Sequence, residues 1–271
     1  MMTASPQTYR AIFISDMHLG TKRAQTEMLL EFLRATESSS LYIVGDFIDN
    51  WALRKVWYWD QAHNDIFQKI LRKARKGTRV VYVPGNHDEQ FRDFKNLRFG
   101  RVAVLEETVH TGADGKRYLV LHGDKFDGVI LHAKWLAHLG DQAYEVALTV
   151  NAIFNRIRRF FGLPYWSLSA HLKRRVKRAV EFVSNFETAV VREARLRQCD
   201  GVICGHIHTP EMRVIDGISY MNDGDWVESC TALVEHHDGR WEILDFGSSI
   251  KALKVKPVEA PIETIGLVHP A

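Results

Sequence analysis

A chain of 271 residues, 46% apolar and 25% charged, has the makeup of a globular protein of one large or two small domains, which excludes disordered and fibrous classes. Its formal net charge of +3 is too small to call for a nucleic-acid partner. Three cysteines (Cys199, Cys204, Cys230) do not make a disulfide framework, the first residues lack a basic-then-apolar leader, and no apolar run reaches the roughly 20 residues that span a bilayer, so a cytoplasmic protein is expected.

In chain order, Ala11 to Ile14, Leu41 to Val44 and Arg79 to Val83 are short apolar runs that end in glycine-bearing turns, as strands covered on both faces do. Between them, Ala24 to Thr36 and Gln61 to Lys76 show helical spacing, with Leu29, Leu30, Phe32 and Leu33 on one apolar face and Ile66, Phe67, Ile70, Leu71 and Ala74 on the other. Leu119 to Leu121 predicts a further strand. From Phe126 to Gln198 the pattern is helical, interrupted near Gly162-Leu163-Pro164, and strands return at Gly201 to Cys204, Ile218 to Met221, Ala232 to Glu235 and Trp241 to Phe246. The expected organisation is an α/β sandwich over 8–125 and 199–250, a helical insertion over 126–198, and a poorly ordered tail over 251–271.

Five polar signatures sit just after strand-like runs. They are Asp16-Met17-His18, Gly45-Asp46, Gly85-Asn86-His87-Asp88, His122-Gly123-Asp124 and Gly205-His206-Ile207-His208. Loops at the carboxyl ends of α/β strands are where sites form. Two residues apart in an extended segment, Asp16 and His18 are expected to point the same way, as are His206 and His208. Carboxylates, an amide oxygen and imidazoles suit Mn²⁺, Fe²⁺ or Zn²⁺, and a pair bridged by a carboxylate such as Asp46 can drive an in-line displacement at phosphorus. His87 is the spare imidazole, expected to face the substrate and protonate a leaving oxygen, with Asp88 placed to hold its tautomer. His63, His110, His132, His138, His171, His236 and His237 are read as surface or internally satisfied residues. The cluster Trp51, Trp57, Tyr58 and Trp59 is read as core packing, with a wall of the substrate pocket as the alternative, and Asn222-Asp223-Gly224-Asp225 as a turn.

In order and spacing, these signatures resemble those of the calcineurin-like metallophosphoesterase superfamily. The resemblance implies a four-layer sandwich, two β-sheets face to face with helices outside. It also implies a ligand set: Asp16, His18, Asp46 and His208 for one ion, and Asp46, Asn86, His122 and His206 for the other, with His87 catalytic. Ser15-Asp16-Met17-His18-Leu19-Gly20, Gly45-Asp46-Phe47-Ile48-Asp49-Asn50-Trp51 and the helical insertion are similar to the bacterial UDP-2,3-diacylglucosamine pyrophosphatases of lipid A synthesis. That similarity implies two divalent ions, Mn²⁺ first, and release of UMP and diacylglucosamine 1-phosphate. It also implies substrate contacts at Asp49 and Trp51 and a cap that receives acyl chains. His87 stands where those pyrophosphatases carry arginine. This leaves a metallophosphodiesterase or phosphatase for another lipid or nucleotide as the alternative, with a non-catalytic scaffold last because every ligand position is intact.

Within the insertion, residues 151–200 hold eleven basic side chains against four acidic ones, so the excess is local. Leu172, Val176, Ala179, Val180 and Val183 share one helical face, and Lys173, Arg174, Lys177 and Arg178 the other. Such a helix is read as a solvated face, as a peripheral contact with an anionic inner-membrane surface, or as a source of cations for an anionic lipid-linked or nucleotide substrate, with nucleic acid the least favoured partner. Arg156, Arg159, Lys173 and Lys177 are the substrate contacts expected there.

Overall fold

The computed structural model describes residues 6–129, 183 and 185–247. Its first half alternates β1 (Gln7–Ile14), α1 (Thr26–Ala35), β2 (Thr36–Val44), α2 (Asn50–Lys55), α3 (Gln61–Arg75) and β3 (Arg79–Val83). The short strands β4 (Arg98–Phe99), β5 (Val102–Val104), β6 (Thr108–Thr111) and β7 (Arg117–Val120) follow. After a helix over 185–196 (α4) come β8 (Gly201–Cys204), β9 (Glu211–Ile215), β10 (Ile218–Asn222), β11 (Thr231–Glu235) and β12 (Trp241–Asp245). A seven-stranded mixed sheet runs β12-β11-β1-β2-β3-β5-β4, and a five-stranded one runs β6-β7-β8-β10-β9.

The period-2 rule of a strand explains why these runs are apolar throughout. Ile12 and Ile14 of β1, Leu41 and Ile43 of β2 and Val80 and Tyr82 of β3 face outward, onto Leu29, Phe32 and Leu33 of α1 and Ile66 and Ile70 of α3. Their neighbours Ala11, Phe13, Tyr42, Val44, Val81 and Val83 face inward, against Tyr118, Val120, Ile203 and Met221 of the second sheet. The outer face of that sheet, with Leu119, Val202, Cys204 and Tyr220, is covered by Phe186, Val190, Val191 and Ala194 of α4. Helix, sheet, sheet and helix are the four layers. Each fully buried Leu, Ile or Phe here contributes about 1.5–3 kcal/mol, so both strand faces anchor the frame beneath the loops.

Two differences from the sequence reading have physical causes. Residues 185–196, assigned there to the insertion, pack on the second sheet as its outer layer; helical periodicity does not reveal which surface a helix covers. The strands β4, β5, β6 and β9 lack a clear apolar run because they are short or at sheet edges, and β9 exposes Met212 and Val214. The rest of the expected cap, including Arg156, Arg159, Lys173 and Lys177, lies outside the described residues, as does the tail over 251–271. Among the described residues no helix is long and apolar enough to cross a membrane.

Candidate metal centre

The five signatures converge on one end of the sandwich, past the carboxyl ends of β1, β2, β3, β7 and β8. The first two loops are zipped together by their backbones: Asp16 N–H donates to Gly45 O (3.1 Å), His18 N–H to Asp46 O (2.9 Å) and Leu19 N–H to Phe47 O (2.9 Å). The expected extended geometry at Asp16 and His18 is not what brings their side chains together. Asp16, His18, Asp46, His206 and His208 all lie in the left-handed region, with φ of 50°, 47°, 48°, 70° and 51°. Each such residue costs on the order of 1–3 kcal/mol and persists only where its surroundings over-determine it. Close packing explains two of the signature glycines. A Cβ on Gly45 would lie 2.2 Å from His122 Nδ1, and one on Gly85 would lie 2.2 Å from Asp46 Oδ1.

Two groups of ligand atoms hold signature residues alone, Asp16 with His18 and His208, and Asp46 with His122 and His206, while a third joins His18 to Asp49 and His87; the atoms of each lie within 4.8 Å of one another. Asp46 stands between the first two, its Oδ2 3.7 Å from His18 Nε2 and its Oδ1 3.4 Å from His122 Nε2. His208 Nε2 and Asp16 Oδ1 pair with each other at 2.7 Å, while the partners behind several other side chains leave their cleft-facing atoms open. His122 Nδ1 pairs with Val44 O at 2.8 Å and His18 Nδ1 with Asp49 Oδ2 at 3.2 Å, while Asp16 Oδ2 accepts from Ser15 Oγ and His206 N. His18 Nε2, His122 Nε2 and Asn86 Oδ1 are buried without a hydrogen-bond partner. Unpartnered buried polar atoms are rare and need a reason. A pair of divalent cations fits all three, and the donor set suits transition-type divalent metals.

The electrostatics agree. Burial alone would raise the Asp16 carboxyl, but the charge of His208 and its contacts with His18 and His208 hold it well below the usual carboxylate range. Burial likewise opposes ionisation of Asp46, and His122 overcomes it. In return, against their own burial, His18 is pushed up to about 9 and His122 to about 10 by the neighbouring aspartates. The protons on these imidazoles occupy the place a cation would take.

His87 sits at the mouth of this cleft, its Nε2 3.9 Å from Asp46 Oδ2. The carboxylate beside its Nδ1 is Asp49, at 3.0 Å in an ion-pair contact without hydrogen-bond geometry, in the place expected for Asp88. Asp88 is buried beneath the loop, where it accepts from Gly85 N, Phe47 N and the Tyr82 hydroxyl. It holds the turn that carries Asn86 and His87. Asp49 contacts both histidines and also caps α2 through Ala52 N. Trp51 covers the His87 ring at 4.1 Å between centroids. Core packing holds for Trp59, which packs against the main core beside Phe67, but not for Trp57 and Trp51, which are 75% and 44% exposed, Trp51 against the His87 ring.

Sequence reasoning missed the supports. Ser15 Oγ donates to Asp16 and also contacts Asp223, and Asn222 donates to Gly205 O, so the turn over 222–225 underlies the site. Burial raises the Asp223 carboxyl well above the usual range; the bond from Ser15 offsets part of this and the charge of Asp16 adds to it. Arg92 ties the loop after β3 to the loop after β7 through Pro84 O and both oxygens of Asp124. The only sequence signal for these residues was their closeness to the motifs.

Comparison with known proteins follows the same lines. The profile of the calcineurin-like phosphoesterases matches residues 9–210. A UDP-2,3-diacylglucosamine hydrolase of Neisseria gonorrhoeae is 25% identical over 79% of this chain and 88% of its own length. Proteins of the same description from Blochmanniella pennsylvanica (75% of this chain, 81% of that protein) and Aromatoleum aromaticum (86% and 93%) are each 28% identical.

Proposed function

This chain belongs to the calcineurin-like phosphoesterase family and is a hydrolase, and on that premise we propose that it uses two divalent ions to cleave the pyrophosphate of UDP-2,3-diacylglucosamine. The observation that carries the proposal is the convergence of three buried, unpartnered donor atoms, on His18, His122 and Asn86, around the paired carboxylates Asp16 and Asp46. When bound, such ions supply a water of lowered pKa and neutralise phosphoryl charge; Mn²⁺ is the proposed metal. Asp16, His18, Asp46 and His208 would hold one, and Asp46, Asn86, His122 and His206 the other.

The chain's own groups do the rest. Asp49 Oδ1 lies 3.0 Å from Nδ1 of His87 as an ion-pair contact, and Nε2, 3.9 Å from Asp46 Oδ2, can donate a proton to a leaving oxygen or a hydrogen bond to a phosphoryl oxygen. Trp51 stacks against that ring and limits its rotation. The arginine-bridged loops hold Asn86 and His122 at a fixed separation. The ridge of Trp51, Val56 and Trp57, with Lys22 over the Tyr58 ring, supports an amphiphilic substrate and a peripheral contact with the cytoplasmic face of the membrane.

One feature favours a second reading. A histidine at position 87 suits protonation of a poor leaving group such as an alkoxide, as in a lipid or nucleotide phosphodiester. Purified protein with Mn²⁺ and UDP-2,3-diacylglucosamine in detergent, analysed by mass spectrometry beside a chelated control, separates the two. UMP and diacylglucosamine 1-phosphate formed only with metal is the expected result. An intact nucleotide-lipid, from protein that still cleaves an aryl phosphodiester, would overturn the substrate and keep the reaction class.

A further inference from the structure

The opposite end of the sandwich holds a half-open cleft of about 520 Å³ at the rim between the two sheets, with the Arg79, Ser39, Thr111 and His237 side chains exposed. The period-2 pattern that sends Val81 and Val83 of β3 and Tyr42 and Val44 of β2 into the inter-sheet core also sends Arg79 and Ser40 inward, and these two are paired in register. Where the apolar core should continue, the strands turn cationic and hydroxylic. Arg10, Ser39, Ser40, Arg79, Thr111 and His237 line the space, with His110 and Tyr42 behind them, and no acidic side chain lines it.

The nearest carboxylate, Glu235, is already committed. It is buried, pairs with Arg10 at 2.6 Å and with His110 Nε2 at 2.7 Å, and accepts from Ala113 N at 2.6 Å. His110 is held in turn by the Tyr42 hydroxyl at 3.0 Å. This network fixes the floor and leaves the exposed Arg79 side chain without an ion pair or hydrogen bond among the described residues, in a cleft also lined by Ser39, Ser40 and Thr111. A planar guanidinium with adjacent hydroxyl donors matches the fork geometry and lone pairs of a phosphoryl group. The volume falls among those of small-molecule sites, about 300–1,000 Å³, and exceeds what a bare phosphate needs.

We propose that this half-open cleft at the rim of the two sheets binds a small phosphorylated molecule, with Arg79, Ser40 and Thr111 on its phosphoryl oxygens. The site is separate from the metal centre: the five residues of β3, about 16 Å at 3.3 Å per residue, lie between Arg79 and the turn that carries Asn86. It stands whether or not the substrate proposed above is right.

The test uses the full chain titrated with inorganic pyrophosphate by calorimetry, with metal and again under excess chelator. Because the metal-free centre keeps protonated imidazoles that could also attract phosphate, the binding that reports the rim cleft is the part that survives chelation and is lost in Arg79→Ala. One equivalent should bind to the chelated protein, and Arg79→Ala should weaken it about 10- to 100-fold, as loss of charge-assisted hydrogen bonds does. Metal-dependent phosphodiester hydrolysis by that variant should stay unchanged. In the unmodified protein, phenylglyoxal should label Arg79 and pyrophosphate should suppress the label, as read by peptide mass spectrometry. That arm decides alone if the variant fails to fold. No binding under chelation, equal binding by Arg79→Ala, or undiminished labelling at Arg79 would each overturn the proposal.

Discussion

His110 and His122 lie at opposite ends of the antiparallel pair β6 and β7, both nearly inaccessible to solvent, and their surroundings differ in one respect. Both ring nitrogens of His110 are bonded, to the Tyr42 hydroxyl and to Glu235. His122 has a partner at Nδ1, the Val44 carbonyl, and none at Nε2, which looks across 3.4 Å at Asp46. The first histidine closes a network; the second leaves one open. An open nitrogen alone does not make a ligand, because His63 Nε2 is also buried and unpartnered, with its ring stacked on Trp59. Convergence separates them: around His122 other open donors and two carboxylates share one small volume, under a backbone strained at five positions.

The sharpest way to break this distinction is at the open end. Asp46→Ala removes the group between the two ligand clusters, so metal retention and turnover should both fall to the level of the chelated protein, as measured by elemental analysis and a phosphodiester assay. Retention of two ions per chain by that variant would refute the bridging assignment. His87→Ala should behave differently: kcat should drop about 10²- to 10⁴-fold, as loss of a general acid does, with metal content unchanged. Full turnover would remove His87 from the chemistry. Asp49→Asn comes third, at about 10- to 100-fold. Because Asp49 contacts His18 and His87 together, both metal affinity and kcat should weaken; an effect on only one would show that one contact carries nothing.

Much of this was legible in the sequence, and the reasons are specific. The inner and outer faces of β1, β2 and β3 follow from alternation along apolar runs, and the ligand candidates follow from rare residue pairs placed just past strand ends. Conformation was not legible. Asp16-Met17-His18 reads as extended by spacing, yet both ends of the triplet are left-handed, a state set by bonds to the loop after β2. The partner of His87 was also hidden, since Asp88 is adjacent in sequence and Asp49 adjacent in space. Likewise, Trp57 is as apolar on a ridge as in a core, and composition does not tell the two apart.

The smallest effect, and the one that tests the closed end, concerns Glu235. Replacing it by Gln leaves Arg10 and His110 without their shared carboxylate, and disrupting such a buried network costs about 1–3 kcal/mol. The open end predicts lost chemistry; here activity should hold while stability falls. The pH dependence has a definite sign. Burial opposes ionisation of Glu235, but the bonds from His110, Ala113 and Arg10 win and hold its folded value below the usual range. Its stabilisation is therefore fully present above the unfolded glutamate value of about 4.3 and is lost as pH falls through the lower folded value. In urea titrations, the gap between parent and Glu235→Gln should stay constant at neutral pH and narrow steadily below that point. A gap that widens on acidification would mean that Glu235 enters the fold protonated, and that the network around His110 is no more closed than the one around His122.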